Sequence, residues 1–487
     1  MDDPEPSSSA VSQPAAAARR QKQAVVVIHG IGEQRPMATI RSLVEALWTR
    51  DPDLTPPHRG KAPADGSGAA RVNQSWITPD RRTASHELRR ITTPYDRKGR
   101  RTDFYELYWA DLTQGTTRAR LFAWIRELLL RSRSEIPPDA RKLYVATWIF
   151  AVVVALAAAL LAFSFWGAWL LPVTAVLLTI AASFVLWVLD QFALPYFGDV
   201  AAYVQATPDT VESRAKVRER GLGLLRALAD DDEYDRIVVV GHSLGSIIAY
   251  DLLQILWAER RPRGLEWPRD REVVRAIHAV GAFAALPREG AVPLDQAQLE
   301  AFRRAQWQLF SRLKVKSAVN EKPWKFSDFV TLGSPLSHAE FLIARNADAF
   351  RKGAEERLYS LSPPISDSRS RRTLLYYERP RIRAVHHAAC FAATRWTNIF
   401  DIGNGWSTGD PFSGPMRENF GGGVEEHRVR LEWTLFGMRT RLFTHTHYWS
   451  TEAAGSKVEG EAAATDHLKA LREAVDLARR ADDAIRP

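Results

Sequence analysis

Residues 236–256 (RIVVVGHSLGSIIAYDLLQIL) set a short β-branched run directly against a helical pattern, with only a few residues between them. Arg236 to Val240 suits a buried strand, and Leu244, Ile247, Ile248, Leu252, Ile255 and Leu256 then recur at helical spacing. A chain that passes so abruptly from strand to helix needs its two glycines. Without a Cβ, Gly241 and Gly245 let strand and helix approach closely, and Ser243 between them takes up strained angles with its hydroxyl projecting outward. The pattern Gly-x-Ser-x-Gly by itself is weak, since it arises by chance in roughly one of six chains of this length. The strand before it and the helix after it make Ser243 a candidate nucleophile.

Similar strand-like runs occur at 24–28 (AVVVI), 104–109 (FYELYW), 276–283 (AIHAVGAF), 329–333 (FVTLG) and 396–400 (WTNIF), with helical stretches between them. This alternation predicts an α/β fold with a mostly parallel sheet flanked by helices. Residues 1–22, rich in Ser, Pro and Ala, read as a disordered tail with no apolar signal-peptide core. The sheet domain is expected over 23–130 and 201–452. Within it, 258–325 reads as a helical insertion or a lid, and 453–487 as a C-terminal helix.

Between Lys142 and Asp190 no charged residue occurs. One helix of that length would reach about 70 Å, more than twice a hydrocarbon core of about 30 Å, so the run is expected to fold back on itself. The expected insertion is a two-helix membrane hairpin over 131–200, with spans at 143–165 and 169–189 and the turn at Gly167 to Pro172. Tyr144, Trp148, Trp166, Trp169 and Trp187 fall where interfacial aromatic belts belong. Basic residues flank the run at both ends, Arg131, Arg133, Arg141 and Lys142 before it and Arg214, Lys216, Arg218 and Arg220 after it. The expected placement is therefore two-pass, with a lipid bilayer as partner and both termini and the sheet domain on the cytoplasmic side.

The net charge of +9 suits an anionic surface. The chain has no zinc-finger spacing, RNP-like motif or dense Lys/Arg tract, which argues against a nucleic-acid partner. A single cysteine, Cys390, excludes an intrachain disulfide and zinc held by paired cysteines. Oligomeric state is not legible.

A serine nucleophile needs a base, an acid to orient that base, and donors for an oxyanion. The run AVVVI is followed by His29-Gly30-Ile31-Gly32, where glycines after a strand let backbone N–H groups face a substrate oxygen. The expected donors are the N–H groups of Ile31 and Leu244, and His29 reads as fixing the loop. In the order nucleophile, acid, base that α/β-hydrolases use, the base comes late in the chain. His445 and His447 in FTHTHYWS are the choices; His467 sits in a charged helical tail, and His386 and His387 lie in an apolar run as core residues. For the acid, RWTNIFDIGNGWSTGDPFSG offers Asp401 and Asp410, and spacing does not choose between them.

GHSLGSIIAYDLL (241–253), FVTLGSPLSHAEFLIAR (329–345), WTNIFDIGNGWSTGDPF (396–412) and HTHYW (445–449), with HGIG at 29–32, together resemble the intracellular DDHD-type phospholipase A1 group and related bacterial lipase-like α/β-hydrolases. The resemblance implies Ser243 as nucleophile, Asp410 of Asp-Pro as acid and His445 of His-x-x-Tyr-Trp as base. The stretch between Phe400 and Asp410 is longer than that pattern, and Phe412 replaces a small aliphatic, so Asp401 remains the alternative acid beside His447 as the alternative base. The function implied is a membrane-anchored serine ester hydrolase acting on a lipid or another acyl ester, with no metal and no cofactor. An acyltransferase would use the same residues, and a silent tethered interaction protein would keep the same fold.

Overall fold

Strand β1 (Gln21–Ile28) is apolar from Ala24 onward because both of its faces are covered. Ala24, Val26 and Ile28 pack with helices α2 (Pro208–Asp230), α3 (Leu244–Arg260), α4 (Arg271–Gly281) and α5 (Gln296–Leu313). Val25 and Val27 point the other way, into a core with α1 (Ala38–Val44) and the C-terminal α6 (His467–Val475). The computed structural model describes residues 21–30, 35–51, 54, 73–82, 88–95, 99–112, 203, 208–287, 289–317, 320–344, 346–403, 408–435, 437–441, 444–451 and 466–478, with isolated positions in 145–159.

Around β1 the described residues form an eight-stranded sheet. Its further strands are β2 (Trp76–Pro79), β3 (Arg89–Thr92), β4 (Arg100–Leu107), β5 (Tyr234–His242), β6 (Phe326–Leu332), β9 (Arg395–Phe400) and β10 (Val424–Arg428). The order is β10-β9-β6-β5-β1-β4-β3-β2. Pairing is parallel from β10 to β4 and antiparallel through β3 and β2. Two small hairpins lie outside the sheet, β7 (Leu375–Arg379) with β8 (Ile382–Val385), and β11 (Trp433–Leu435) with β12 (Met438–Thr440). β1 and β5 thus lie side by side, with Ile28 opposite Gly241, and the loops after both strands leave from the same edge.

Two expectations are corrected. The run at 276–283 is not a strand: it belongs mostly to α4, whose buried residues Val274, Ile277, Val280 and Gly281 recur at helical spacing while Glu272, Arg275 and His278 face outward. The second correction concerns the membrane. Among the described residues no helix is long and apolar enough to cross one. The longest, α2, has 23 residues but carries charges throughout, and the apolar α3 has 17 residues that include Asp251 and Glu259. The hairpin spans expected at 143–165 and 169–189 fall outside the described residues apart from a few isolated positions. The fold class stands as α/β with a mostly parallel sheet, without the membrane insertion, and the two-pass cytoplasmic placement falls with it. In the 258–325 stretch, α4 and α5 belong to the helical layer over the sheet; Gln306 of α5 donates to the carbonyls of Phe391 and Thr394 at 2.6 and 3.0 Å.

The sheet is tied to α6 through a buried cation. Arg236 of β5 is 0% exposed and spends its donors on Ser327 Oγ, Gln23 Oε1, Asp328 Oδ2 and the carbonyls of Val475 and Asp476, at 2.7 to 3.0 Å. Asp328 also receives Arg395 at 2.5 Å. Burial alone would raise the Asp328 carboxyl, but the two guanidinium groups and the Ser327 hydroxyl hold it well below the usual carboxylate range. Arg236→Met would strand Asp328 and two helix-end carbonyls without this partner. The expected cost is about 3–5 kcal/mol of unfolding free energy, read from urea denaturation.

Candidate active site

Between β5 and α3 the chain reverses within one residue. Ser243 holds φ 53° and ψ −130°, a left-handed strain that costs a non-glycine residue about 1–3 kcal/mol. Three neighbouring bonds impose it: Ser243 N–H donates to Leu332 O at 3.0 Å, and Ser243 O accepts the Ser246 N–H and hydroxyl at 2.9 and 2.5 Å. The flanking glycines are required by contact. A Cβ on Gly245 would stand 2.2 Å from Ile28 O, and one on Gly241 would stand 2.6 Å from Ser246 Cα. Gly30 is bound by the same logic, since its Cβ would lie 2.7 Å from Ser243 Cβ, so the loop after β1 runs against the serine.

His445 comes from the short turn Thr444–Thr446 and meets the serine directly. The Ser243 hydroxyl lies 2.8 Å from His445 Nε2, and His445 Nδ1 lies 2.9 Å from Asp410 Oδ2. Because a carboxylate only accepts, Nδ1 carries the hydrogen and Nε2 accepts the hydrogen bond of the serine hydroxyl. All three side chains are buried. Burial pushes the Asp410 carboxyl up, but the His445 charge and the hydrogen bonds from His445, Tyr448 and the Phe412 N–H outweigh it and hold the group below its ordinary value.

Asp401, the alternative acid, does something else. Its carboxylate takes Arg441 at 2.7 Å, the Thr444 hydroxyl at 2.7 Å and the Leu431 N–H at 3.3 Å, and its carbonyl accepts the Asp410 N–H at 3.0 Å. It therefore fixes the turn that carries His445 and the loop that carries Asp410. Burial raises its carboxyl against the pull of Thr444 and Arg441. The alternative base, His447, stacks on Trp433 with ring centroids 5.1 Å apart, and its N–H donates to Thr444 O at 3.0 Å.

Leu244 opens α3, so its N–H has no earlier carbonyl within the helix to bond and is free in geometry to meet an oxyanion. Gly245 follows it in the same turn. Ile31 and Gly32, the other expected oxyanion residues, lie outside the described residues. Just before them, His29 accepts the Trp109 N–H at Nε2 (3.2 Å), donates from Nδ1 to Gly30 O (2.7 Å) and stacks on Trp109. Burial lowers it to about 4, so it stays neutral and braces the loop.

Two residues at the centre were not singled out from sequence. His242, beside the nucleophile, donates from Nε2 to His445 O at 2.8 Å and lies edge-on to Trp449. Tyr448 donates to Asp410 Oδ2 at 2.8 Å. The available signals were the His of Gly-His-Ser and the Tyr of His-x-x-Tyr-Trp, neither of which carries a geometry by itself. His386 is a core residue whose Nε2 donates to Ile365 O at 2.7 Å, and burial pushes the Cys390 thiol up to about 12. Among the described residues no cluster of His, Cys, Asp and Glu is arranged to hold a metal.

Compared with models of known families, with curated proteins and with solved structures, the chain matches none.

Proposed function

We propose that the chain is a serine ester hydrolase that works through an acyl-enzyme, with a lipid or another acyl ester as substrate. One observation carries the reading: an unbroken hydrogen-bonded chain from Ser243 Oγ through both nitrogens of His445 to Asp410, built on a strained strand-to-helix turn. The substrate class rests on the resemblance of the surrounding motifs to intracellular phospholipases.

Ser243 Oγ attacks the carbonyl carbon while His445 Nε2 takes its proton. Asp410 keeps the imidazole in the required tautomer and stabilises its charged form. The Leu244 N–H faces the oxygen that becomes negative, and Ile31, the second donor expected from sequence, lies outside the described residues. His445 then returns the proton to the departing alcohol, leaving the acyl group on Ser243. Water attacks this ester with His445 again as base, the carboxylic acid leaves, and Ser243 regains its proton.

The test is covalent capture by a fluorophosphonate, followed by mass mapping of the adduct. Labelling confined to the peptide that carries Ser243, together with release of nitrophenol from a p-nitrophenyl ester, is the expected result. A folded preparation that neither labels nor hydrolyses any ester of graded chain length overturns the reading.

A further inference from the structure

Tyr448 lies where separate loops of the site meet. Its hydroxyl lies 2.8 Å from Asp410 Oδ2, 2.9 Å from Ser413 Oγ and 3.0 Å from the Asp401 amide nitrogen. The Asp401 N–H must donate, so the phenol oxygen accepts there. The Asp410 carboxylate can only accept, so the phenol proton goes to it. That leaves Ser413 to donate its own hydrogen to the phenol. Asp410 Oδ2 then holds two donors, His445 Nδ1–H and Tyr448 O–H, while Oδ1 takes the Phe412 N–H.

We infer that Tyr448 is a positioning residue of the reaction, holding Asp410 on His445 and setting how strongly that carboxylate draws on the imidazole. The inference rests on the hydrolase reading above. Space is reserved for this pair: at Gly333, φ +54°, a Cβ would stand 2.6 Å from Tyr448 Cε2 and 2.9 Å from Asp410 Oδ2. The glycine that follows β6 thus lies against the ring of Tyr448, while the two aspartates after β9 bond its hydroxyl. Tyr448 is fully buried, and burial together with the Asp410 charge raises its phenol well above the ordinary value, so it remains a donor throughout the working range. The other titratable and charged groups facing Asp410 and His445 are His242 at the end of β5, with His29 behind it, and Asp401 with its partner Arg441.

Sharing a carboxylate oxygen between two donors weakens its pull on each. Tyr448→Phe keeps the ring and removes the proton, so two effects are expected: kcat/KM falls about ten- to a hundredfold with KM little changed, and the acidic limb of the kcat/KM profile moves to higher pH. Placing 3-fluorotyrosine at 448 preserves volume and hydroxyl while strengthening the donor, and should move that limb to lower pH. This second substitution also serves if the phenylalanine variant does not fold. Limbs that stay fixed in either folded variant, while wild type is labelled at Ser243, overturn the role of Tyr448 alone. Absence of labelling in wild type removes the hydrolase reading and this inference together.

Discussion

Asp410→Asn should lower kcat on a chromogenic ester about 10⁴-fold, whereas Asp401→Asn should cost far less in rate and more in stability. The asymmetry follows from what each carboxylate faces. Asp410 Oδ2 holds the Nδ1–H of His445, and an amide nitrogen placed there would donate instead of accept, turning the imidazole to the tautomer that cannot take the serine proton. Asn at 401 keeps one acceptor oxygen for Thr444 but gives up the charge opposite Arg441, which is mostly buried. The expected loss there is about 1–3 kcal/mol of unfolding free energy, with kcat reduced only as far as the His445 turn loosens. Steady-state rates and urea midpoints of the two variants decide the matter. A larger rate loss in Asp401→Asn would reverse the assignment.

The protein should also lose stability steeply as pH falls from about 6.5 to 4. Three buried histidines are held neutral: burial, the largest influence on each, lowers His29 to about 4 and His242 and His386 to about 3. Nearby positive charge adds to the effect, from His445 at His242 and from Arg357 at His386. In the unfolded chain each protonates near its ordinary value of 6.5. Below that value the unfolded state binds protons that the folded state refuses, so stability falls with falling pH until the folded values are reached. Each such histidine contributes up to about 1.4 kcal/mol per pH unit, and three give about 4 kcal/mol per unit. Over one and a half units this approaches the ~5–15 kcal/mol that holds a typical domain together. Urea midpoints at pH 7.5, 6 and 5 should drop in sequence, and His386→Gln should flatten the slope by about a third. Midpoints constant across that range would mean the three rings accept protons in the folded state.

Local chemistry made much of this molecule legible. Runs such as AVVVI and RIVVV favour strands covered on both faces through their β-branched valines and isoleucines, and the strand–turn–helix around Ser243 carried its own geometry in two glycines. The run at 276–283 is different, since seven apolar or small residues broken only by His278 fit strand and helix alike until the flanking Arg271 to Arg275 expose the helical period. The membrane hairpin rested on a charge-free run, its aromatic placement and its basic flanks, and among the described residues no helix is long and apolar enough to bear it out. Asp401 and Asp410 could not be told apart because both belong to one hydrogen-bonded loop, joined by the Asp410 N–H to the Asp401 carbonyl. What separates them is contact with residues more than thirty positions away, and the same holds for Tyr448 and His242.

The Arg236 cluster also sets an order of events during synthesis. Arg236 lies in the strand that leads to Ser243, yet two of its acceptors are the carbonyls of Val475 and Asp476, more than two hundred residues later. Until those residues leave the ribosome, a guanidinium in the middle of the sheet lacks part of its shell, and the nascent sheet carries a buried charge it cannot fully satisfy. The strand that leads to Ser243 is therefore expected to complete its buried shell only after α6, more than two hundred residues further along, has been made.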